Sequence, residues 1–388
     1  MLALSRRHFL QLAAASGAAL ALPALTEADL AQAAAPAAGP GAVLLNYNEN
    51  PLGPGRAARA AIIEAIPRSG RYLFELTAEL VAEFTAQNGL KPDYVLPYAG
   101  SSEPLQYLSL AYTGPGRSLV TADPTFESAA EVARANGATV HALPVLADGA
   151  HDVEAMLAAD PKAGLIVICN PNNPTGSVTP RAAIEYALAH KPAGSLLLVD
   201  EAYIHYSEQK SVLDLVAADG ELVVLRTFSK LYGMAGLRVG LAVGRPDLLA
   251  KLKPYGNNPM PVLSVAAALA SLRDPSLVPS RRQQTARLRA DVAGWLQARG
   301  HRVTPSEANC FLFEAGRPGK ELAAAMAAQG VVIGRSWPSW PQWSRLTIGT
   351  AAEMARFKTV FAAVAGSPAP TRLGQIEPSL PAFVPHWA

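Results

Sequence analysis

A chain of 388 residues, half of them hydrophobic and only 16% charged, is long enough to bury a large core and to divide into more than one domain. Its 33 basic and 31 acidic residues are spread along the sequence and leave a formal net charge of +2, so no field is present that would recruit nucleic acid or an anionic membrane. The two cysteines, Cys169 and Cys310, sit inside apolar runs (LIVIC and NCFLF), and no Cys or His pair has the spacing of zinc ligands, so neither a disulfide framework nor a metal site is expected.

At the N-terminus, Ser5-Arg6-Arg7-His8-Phe9-Leu10-Gln11 precedes the apolar run LAAASGAALALPAL and then Ala-rich sequence. Basic residues, a short apolar core and small residues in that order make a signal peptide over residues 1–35, with cleavage expected among Ala31 to Ala35. The segment resembles the twin-arginine export signal, Ser-Arg-Arg-x-Phe-Leu-Lys, and departs from it only at Gln11. The apolar run of about 14 residues is shorter than the roughly 20 that span a bilayer, so removal of the segment is expected, with no stable membrane anchor. This likeness implies a periplasmic protein, exported already folded, with the twin-arginine machinery as a partner.

Residues 36–65 read as an N-terminal arm. From there to residue 258, helical stretches alternate with short apolar runs of strand type: SLVTAD, TVHALPV, GLIVICN, SLLLVD, LVVLRTF and RVGLAVG. Such alternation argues for an α/β fold, helices packed on a mostly parallel sheet, whose strands are apolar throughout because both faces are buried. After Asn257-Asn258-Pro259 the pattern turns to Ala, Leu and Arg-rich helices (VAAALASL, RRQQTARLRADVAGWLQARG) with strand-like CFLF and SRLTIGT, which defines a smaller α+β C-terminal domain over 259–366. Residues 367–388 are rich in Pro without periodicity, an extended tail.

Four segments follow these strands in order: Asn170-Pro171-Asn172-Asn173-Pro174-Thr175-Gly176, Asp200-Glu201-Ala202-Tyr203, Thr227-Phe228-Ser229-Lys230 and Gly236-Leu237-Arg238. Singly, each could be a turn or a strand end. Jointly, they fall at the carboxyl ends of strands, where open α/β sheets gather ligand groups. Pyridoxal 5′-phosphate (PLP) requires a lysine for a Schiff base, an acid at its ring nitrogen, donors at its phenolate oxygen and a cationic or amide nest for its phosphate. Lys230, beyond an apolar strand and with no acidic neighbour in sequence, suits the first task, since a desolvated lysine loses its proton more readily. Asp200 ends SLLLVD, where a buried carboxylate needs a cationic partner such as a pyridinium. At about 4 Å and an effective dielectric near 20 that pairing is worth ~4 kcal/mol, which moves the ring nitrogen's pKa by roughly three units.

On these motifs, the chain from Leu45 to Thr350 resembles the fold type I PLP-dependent aminotransferases and, within them, the histidinol-phosphate aminotransferase subgroup. The resemblance implies Lys230 as the Schiff-base lysine, Asp200 on the pyridine nitrogen, Asn173 and Tyr203 on the phenolate oxygen, and Ser229 with Arg238 on the phosphate. It also implies that Ser102 and Glu103 of Gly100-Ser101-Ser102-Glu103 present amides to that phosphate at a helix start, although a plain helix cap would read the same way. Phe126 matches the aromatic that stacks on the pyridine ring. Tyr72 matches a tyrosine that reaches the phosphate of the neighbouring subunit, which implies a homodimer. Arg345 matches the arginine that binds the substrate carboxylate or phosphate, a task suited to a planar two-pronged donor, and Arg335 a second arginine for substrate anions. Asn46 and Asn50, in the strip LNYNENPLGP, either meet substrate or shape the loop. The implied substrates are an amino acid or derived amine, such as histidinol phosphate, and a 2-oxo acid.

Two departures qualify the likeness. The subgroup's Pro-Tyr arm ahead of LNxNENP, whose tyrosine helps bind the substrate phosphate, is AAAPAAGPGAV here. Between the two arginines lies Trp337-Pro338-Ser339-Trp340-Pro341-Gln342-Trp343, aromatic enough to wall an apolar substrate pocket or to pack the small domain. Together with the export signal, these features favour a donor with an aromatic or otherwise bulky side chain. The rival readings are another PLP reaction on the same scaffold, decarboxylation or racemisation, and a non-catalytic periplasmic binding protein that has kept the fold.

Overall fold

The computed structural model describes residues 41–256 and 258–365; the signal peptide expected at 1–35 and the tail expected at 367–388 lie outside the described residues. In chain order the strands are β1 (Val43–Leu45), β2 (Val95–Tyr98), β3 (Leu119–Asp123), β4 (Val140–Pro144), β5 (Leu165–Cys169), β6 (Leu196–Asp200), β7 (Leu222–Thr227), β8 (Gly240–Gly244), β9 (Cys310–Glu314), β10 (Val331–Ile333) and β11 (Trp343–Thr347). Every run of strand type picked out above is among them.

Seven strands form one sheet in the order β2-β8-β7-β6-β5-β3-β4, with β8 antiparallel to both of its neighbours and the other pairs parallel. In the central strands, alternate side chains serve opposite cores. Ile166, Ile168, Leu197, Val199, Leu222 and Val224 pack on one face with Ala183, Ile184 and Ala187 of the helix Arg181–His190 and with Ala267 and Ala268 of Val262–Leu272. Leu165, Val167, Leu196, Leu198, Val223 and Leu225 pack on the other with Leu105 and Leu108 of Ser102–Tyr112 and Ala129 of Ser128–Ala135. Burial of each such Val, Leu or Ile is worth about 1.5–3 kcal/mol, and two-sided burial explains strands without polar alternation. β4 departs from the expectation of two-sided burial. It is the sheet's edge, and its residues are intermediate to exposed.

The remaining strands form two short pairs beside the sheet: β9 antiparallel to β11, and β1 parallel to β10. They share a core in which Leu45, Phe311, Phe313 and Leu346 meet Val292 and Leu296 of the long helix Leu277–Gln297 and Phe357 and Phe361 of Ala351–Ala365. Through β1 the N-terminal strip is thus part of the C-terminal layer, and the residues following β1 run back toward the ends of the large sheet. Among the described residues no helix is long and apolar enough to cross a membrane.

Candidate active site

Because β3, β5, β6 and β7 are parallel and adjacent, their carboxyl ends line one edge of the sheet. β2 runs the same way, and β8, being reversed, begins at that edge. Asp200 therefore lies in register with Cys169 and Leu225, buried at the end of β6, with Oδ1 accepting the Ala202 amide at 3.1 Å. Its neighbour Glu201 is used differently. It is buried in an ion pair with Arg226 at 3.0 Å and accepts the Val212 amide at 2.8 Å, a structural use of the second carboxylate of the motif. After β7, Thr227 Oγ1 accepts the Ser229 amide at 3.1 Å and turns the chain so that Lys230 is buried, its Nζ 5.8 Å from the Tyr203 ring centroid and 3.4 Å from the Tyr47 carbonyl.

Most polar groups of the Asn-Pro loop after β5 hold the loop itself. Asn170 exchanges two hydrogen bonds with the backbone of Thr179, and Asn172 bonds to Pro124, Thr125 and Thr175. Asn173 alone turns to the site. Its Oδ1 accepts from Arg345 Nη1 at 2.8 Å and from Asn48 Nδ2 at 3.4 Å, which leaves its amide NH2 as a donor. Tyr203 is buried, and its hydroxyl accepts from Asn48 Nδ2 at 3.0 Å, so its own proton is available to another acceptor. Burial pushes that phenol well above its ordinary value and keeps it a neutral donor.

A second group converges where β2 ends and β8 begins. Gly100 has φ of +93°, and a Cβ there would lie 2.0 Å from Arg238 Nη2, so only glycine lets the guanidinium approach this backbone. A Cβ on Gly240 would lie 2.3 Å from the Ser101 amide nitrogen. Arg238 Nη1 donates to Ser229 Oγ at 3.1 Å, and Ser102 and Glu103 open the helix Ser102–Tyr112 beside it. A guanidinium, a hydroxyl and the first amides of a helix make an anion cradle. Burial pushes the Glu103 carboxyl above its ordinary range, with Arg238 acting in the opposite direction.

The opposite wall comes from β1 and the C-terminal layer. Arg345, on β11, is buried and held by Asn173 and by the Asn46 carbonyl; burial lowers its pKa, and its Nε has no protein partner. Asn46 is buried, and its side-chain Oδ1 also lacks a partner. Trp337 is buried with its ring 4.1 Å from the Arg335 guanidinium and 5.5 Å from that of Arg345. Arg335 forms an ion pair with Glu127. Phe126, half-buried, precedes that glutamate at the end of the β3 loop. Asn50 shapes the loop, donating to the Leu231 carbonyl at 2.9 Å and accepting the Leu52 amide at 3.1 Å.

Two placements add to the sequence reading. Asn48 joins both walls: besides Asn173 and Tyr203 it exchanges two 3.0 Å bonds with Thr347, and its carbonyl accepts from Asn309. Its position in the Asn-rich strip was the available signal, but its backbone φ of 54° and its partners up to 299 positions away are not legible in sequence. Tyr72, in contrast, is 68% exposed, stacks on Phe74 at 5.4 Å and joins none of these groups within one chain. Cys169 and Cys310 are buried free thiols, pushed up by burial, Cys310 to about 11. Among the described residues no group of three or more His, Cys, Asp or Glu is placed to hold a metal.

A lysine, a carboxylate at a strand end, two donors and an anion cradle, gathered at the carboxyl edge of a mostly parallel sheet, have the donor chemistry PLP requires, and this fold and site define a fold type I PLP-dependent enzyme. The sequence matches the family of class I and II aminotransferases over residues 41–361. It is 39% identical over 333 residues to a histidinol-phosphate aminotransferase of Symbiobacterium thermophilum, covering 84% of this chain and 91% of that one. It is 36% identical over 317 residues to an aromatic amino acid aminotransferase of Rhodococcus jostii, covering 81% and 88%. In fold it is similar to the histidinol-phosphate aminotransferase of Sinorhizobium meliloti crystallised with pyridoxal-5′-phosphate (TM-score 0.76, 24% identity, 84% of this chain and 90% of that one). The chain belongs to the class I and II aminotransferases and is a PLP-dependent enzyme of that family.

Proposed function

We propose that the chain moves the amino group of an amino acid with an aromatic or otherwise bulky uncharged side chain to a 2-oxo acid, working as an exported periplasmic homodimer. The observation that carries the donor class is the Arg335–Glu127 ion pair, a neutralised second arginine packed on buried Trp337 and close to Arg345. A relative named as an aromatic amino acid aminotransferase is consistent with it. Export is supported by Ser-Arg-Arg-His-Phe-Leu at residues 5–10 ahead of the apolar run. Support for a dimer comes from exposed Ile63, Ile66, Tyr72 and Phe74, apolar groups gathered in one stretch of chain.

In this reading Arg345 binds the donor's α-carboxylate, using the Nε that has no protein partner, and Asn46 borders the same space. Bound PLP supplies an electron sink for the pair released when the Cα–H bond breaks. Lys230 would hold the cofactor through Nζ, and the same amine, once free, would take the proton that leaves the donor's Cα. Asp200 would keep the ring nitrogen protonated, Asn173 and Tyr203 would donate to the ring oxygen, and Phe126 would pack on the ring. Ser102, Glu103, Ser229 and Arg238 hold the phosphate, and Tyr72 reaches the phosphate of the other subunit. The test is the visible absorbance of the purified protein before and after single amino acids, with Lys230→Ala as control. A cofactor band that changes with bulky uncharged donors and returns with a 2-oxo acid supports the reading, whereas an equal or stronger response to small or acidic donors overturns the donor class.

A further inference from the structure

The two arginines of the substrate wall are in different electrical states. Among the described residues the Arg345 guanidinium hydrogen-bonds to neutral groups, Asn173 Oδ1 and the Asn46 carbonyl, and its Nε has no partner. Arg335 is bound through Nη2 to the Glu127 carboxylate, and its Cζ lies 4.1 Å from the Trp337 ring centroid. The pair is mostly shielded from solvent, with side-chain exposures of 17% and 26%. One helical turn beyond Glu127, Glu131 adds a second carboxyl whose Oε2 is buried without a hydrogen-bond partner. The two arginines are neighbours, since the Arg345 amide donates to the Arg335 carbonyl at 3.2 Å, and Trp337 lies beside both.

We infer that Glu127 is a specificity-determining residue: by neutralising Arg335 it turns a position fit for a second substrate anion into an uncharged wall backed by Trp337. The inference rests on the aminotransferase site proposed above and assigns what its side-chain end selects. A donor with a carboxylate or phosphate at that end must displace Glu127 from a half-buried ion pair and then lie beside two carboxyl groups, a like-charge arrangement that disfavours it. A bulky uncharged side chain meets a neutralised ion pair backed by Trp337 and has no charge to displace.

The experiment compares the PLP-loaded protein with Glu127→Gln and with the double variant Glu127→Gln/Arg335→Leu. Two quantities are measured: kcat/KM for glutamate and for phenylalanine, and the calorimetric Kd of the unreactive analogues glutarate and 3-phenylpropionate. Glu127→Gln is expected to raise the glutamate-to-phenylalanine ratio and tighten glutarate relative to 3-phenylpropionate, each by about ten- to a hundredfold, the worth of one charged hydrogen bond. The double variant loses both gains, because they run through Arg335. Unchanged ratios in Glu127→Gln, or gains that persist without Arg335, overturn the inference. Should no amino acid change the cofactor's absorbance in the parent protein, the aminotransferase site has been misread, and the analogue titrations still decide whether Glu127 masks Arg335.

Discussion

The cofactor wall of this active site draws on neighbouring strand ends, whereas the substrate wall is assembled from segments that lie at opposite ends of the chain. On the first, Asp200 and the loops bearing Asn173 and Lys230 are set by the register of β5, β6 and β7, whose side chains fill two cores. On the second, Arg345 reaches Asn46 across 299 positions, and Arg335 is tied to Glu127 across 208. Both walls stand on packed strands, but on the substrate wall the pairing of Arg335 with Glu127 is a side-chain contact that a single substitution can remove. A site built in this way keeps its chemistry fixed while its specificity is adjusted by single substitutions, and Glu127 is one such adjustment.

On the proposed assignment Lys230→Ala removes the group that both holds the cofactor and carries the Cα proton, and kcat should fall by about a thousandfold or more, read from single-turnover absorbance. A fall of only a few fold would mean the cofactor wall is not where the chemistry lies. Arg345→Gln should lower kcat/KM by about a hundredfold for every α-amino acid alike, since it removes a buried charged contact common to all of them. A loss confined to donors with acidic side chains would exchange the roles given to the two arginines.

Gly100→Ala tests the anion cradle. A Cβ at φ +93° and 2.0 Å from Arg238 Nη2 strains the backbone and displaces the guanidinium, and PLP affinity measured by equilibrium dialysis should weaken by about tenfold. Undiminished affinity would place the phosphate elsewhere. The smallest effect concerns acid. His151 braces the Asn-Pro loop through Thr179 and the Cys169 amide, and burial pushes its imidazole down to about 4. Its unfolded counterpart takes up a proton near pH 6.5, so the stability it contributes is present above that value and is lost as pH falls toward 4. Between pH 7 and 5.5 this group alone should cost about 1 kcal/mol. Buried His205, also pushed down by burial, adds in the same direction. A melting temperature unchanged over that interval would contradict the buried, neutral state of His151.

The central strands were legible because two-sided burial leaves an unbroken apolar run, and Asn173, Asp200, Tyr203 and Lys230 because they end or closely follow such runs, whereas β1, β2 and β10 were not picked out and Arg238 comes before its strand. β4 misled because edge position is a property of sheet order, which the run TVHALPV does not encode. Asn48 went unremarked because a single Asn in an Asn-rich strip carries no mark of its partners, and Glu127 because the carboxylate acquires its importance only beside Arg335.

The sequence by itself determined the α/β class, the central strands and the contiguous segments that bring Asn173, Asp200, Tyr203 and Lys230 to one sheet edge. These follow from local periodicity and from residues placed immediately after buried strands. Only the tertiary structure decided that β1 joins the C-terminal layer, that Asn48 ties the two walls together and that Glu127 engages Arg335 next to Trp337. Those outcomes depend on contacts between residues a hundred or more positions apart, and long-range proximity is set by how packed layers come together, not by any short stretch of chain.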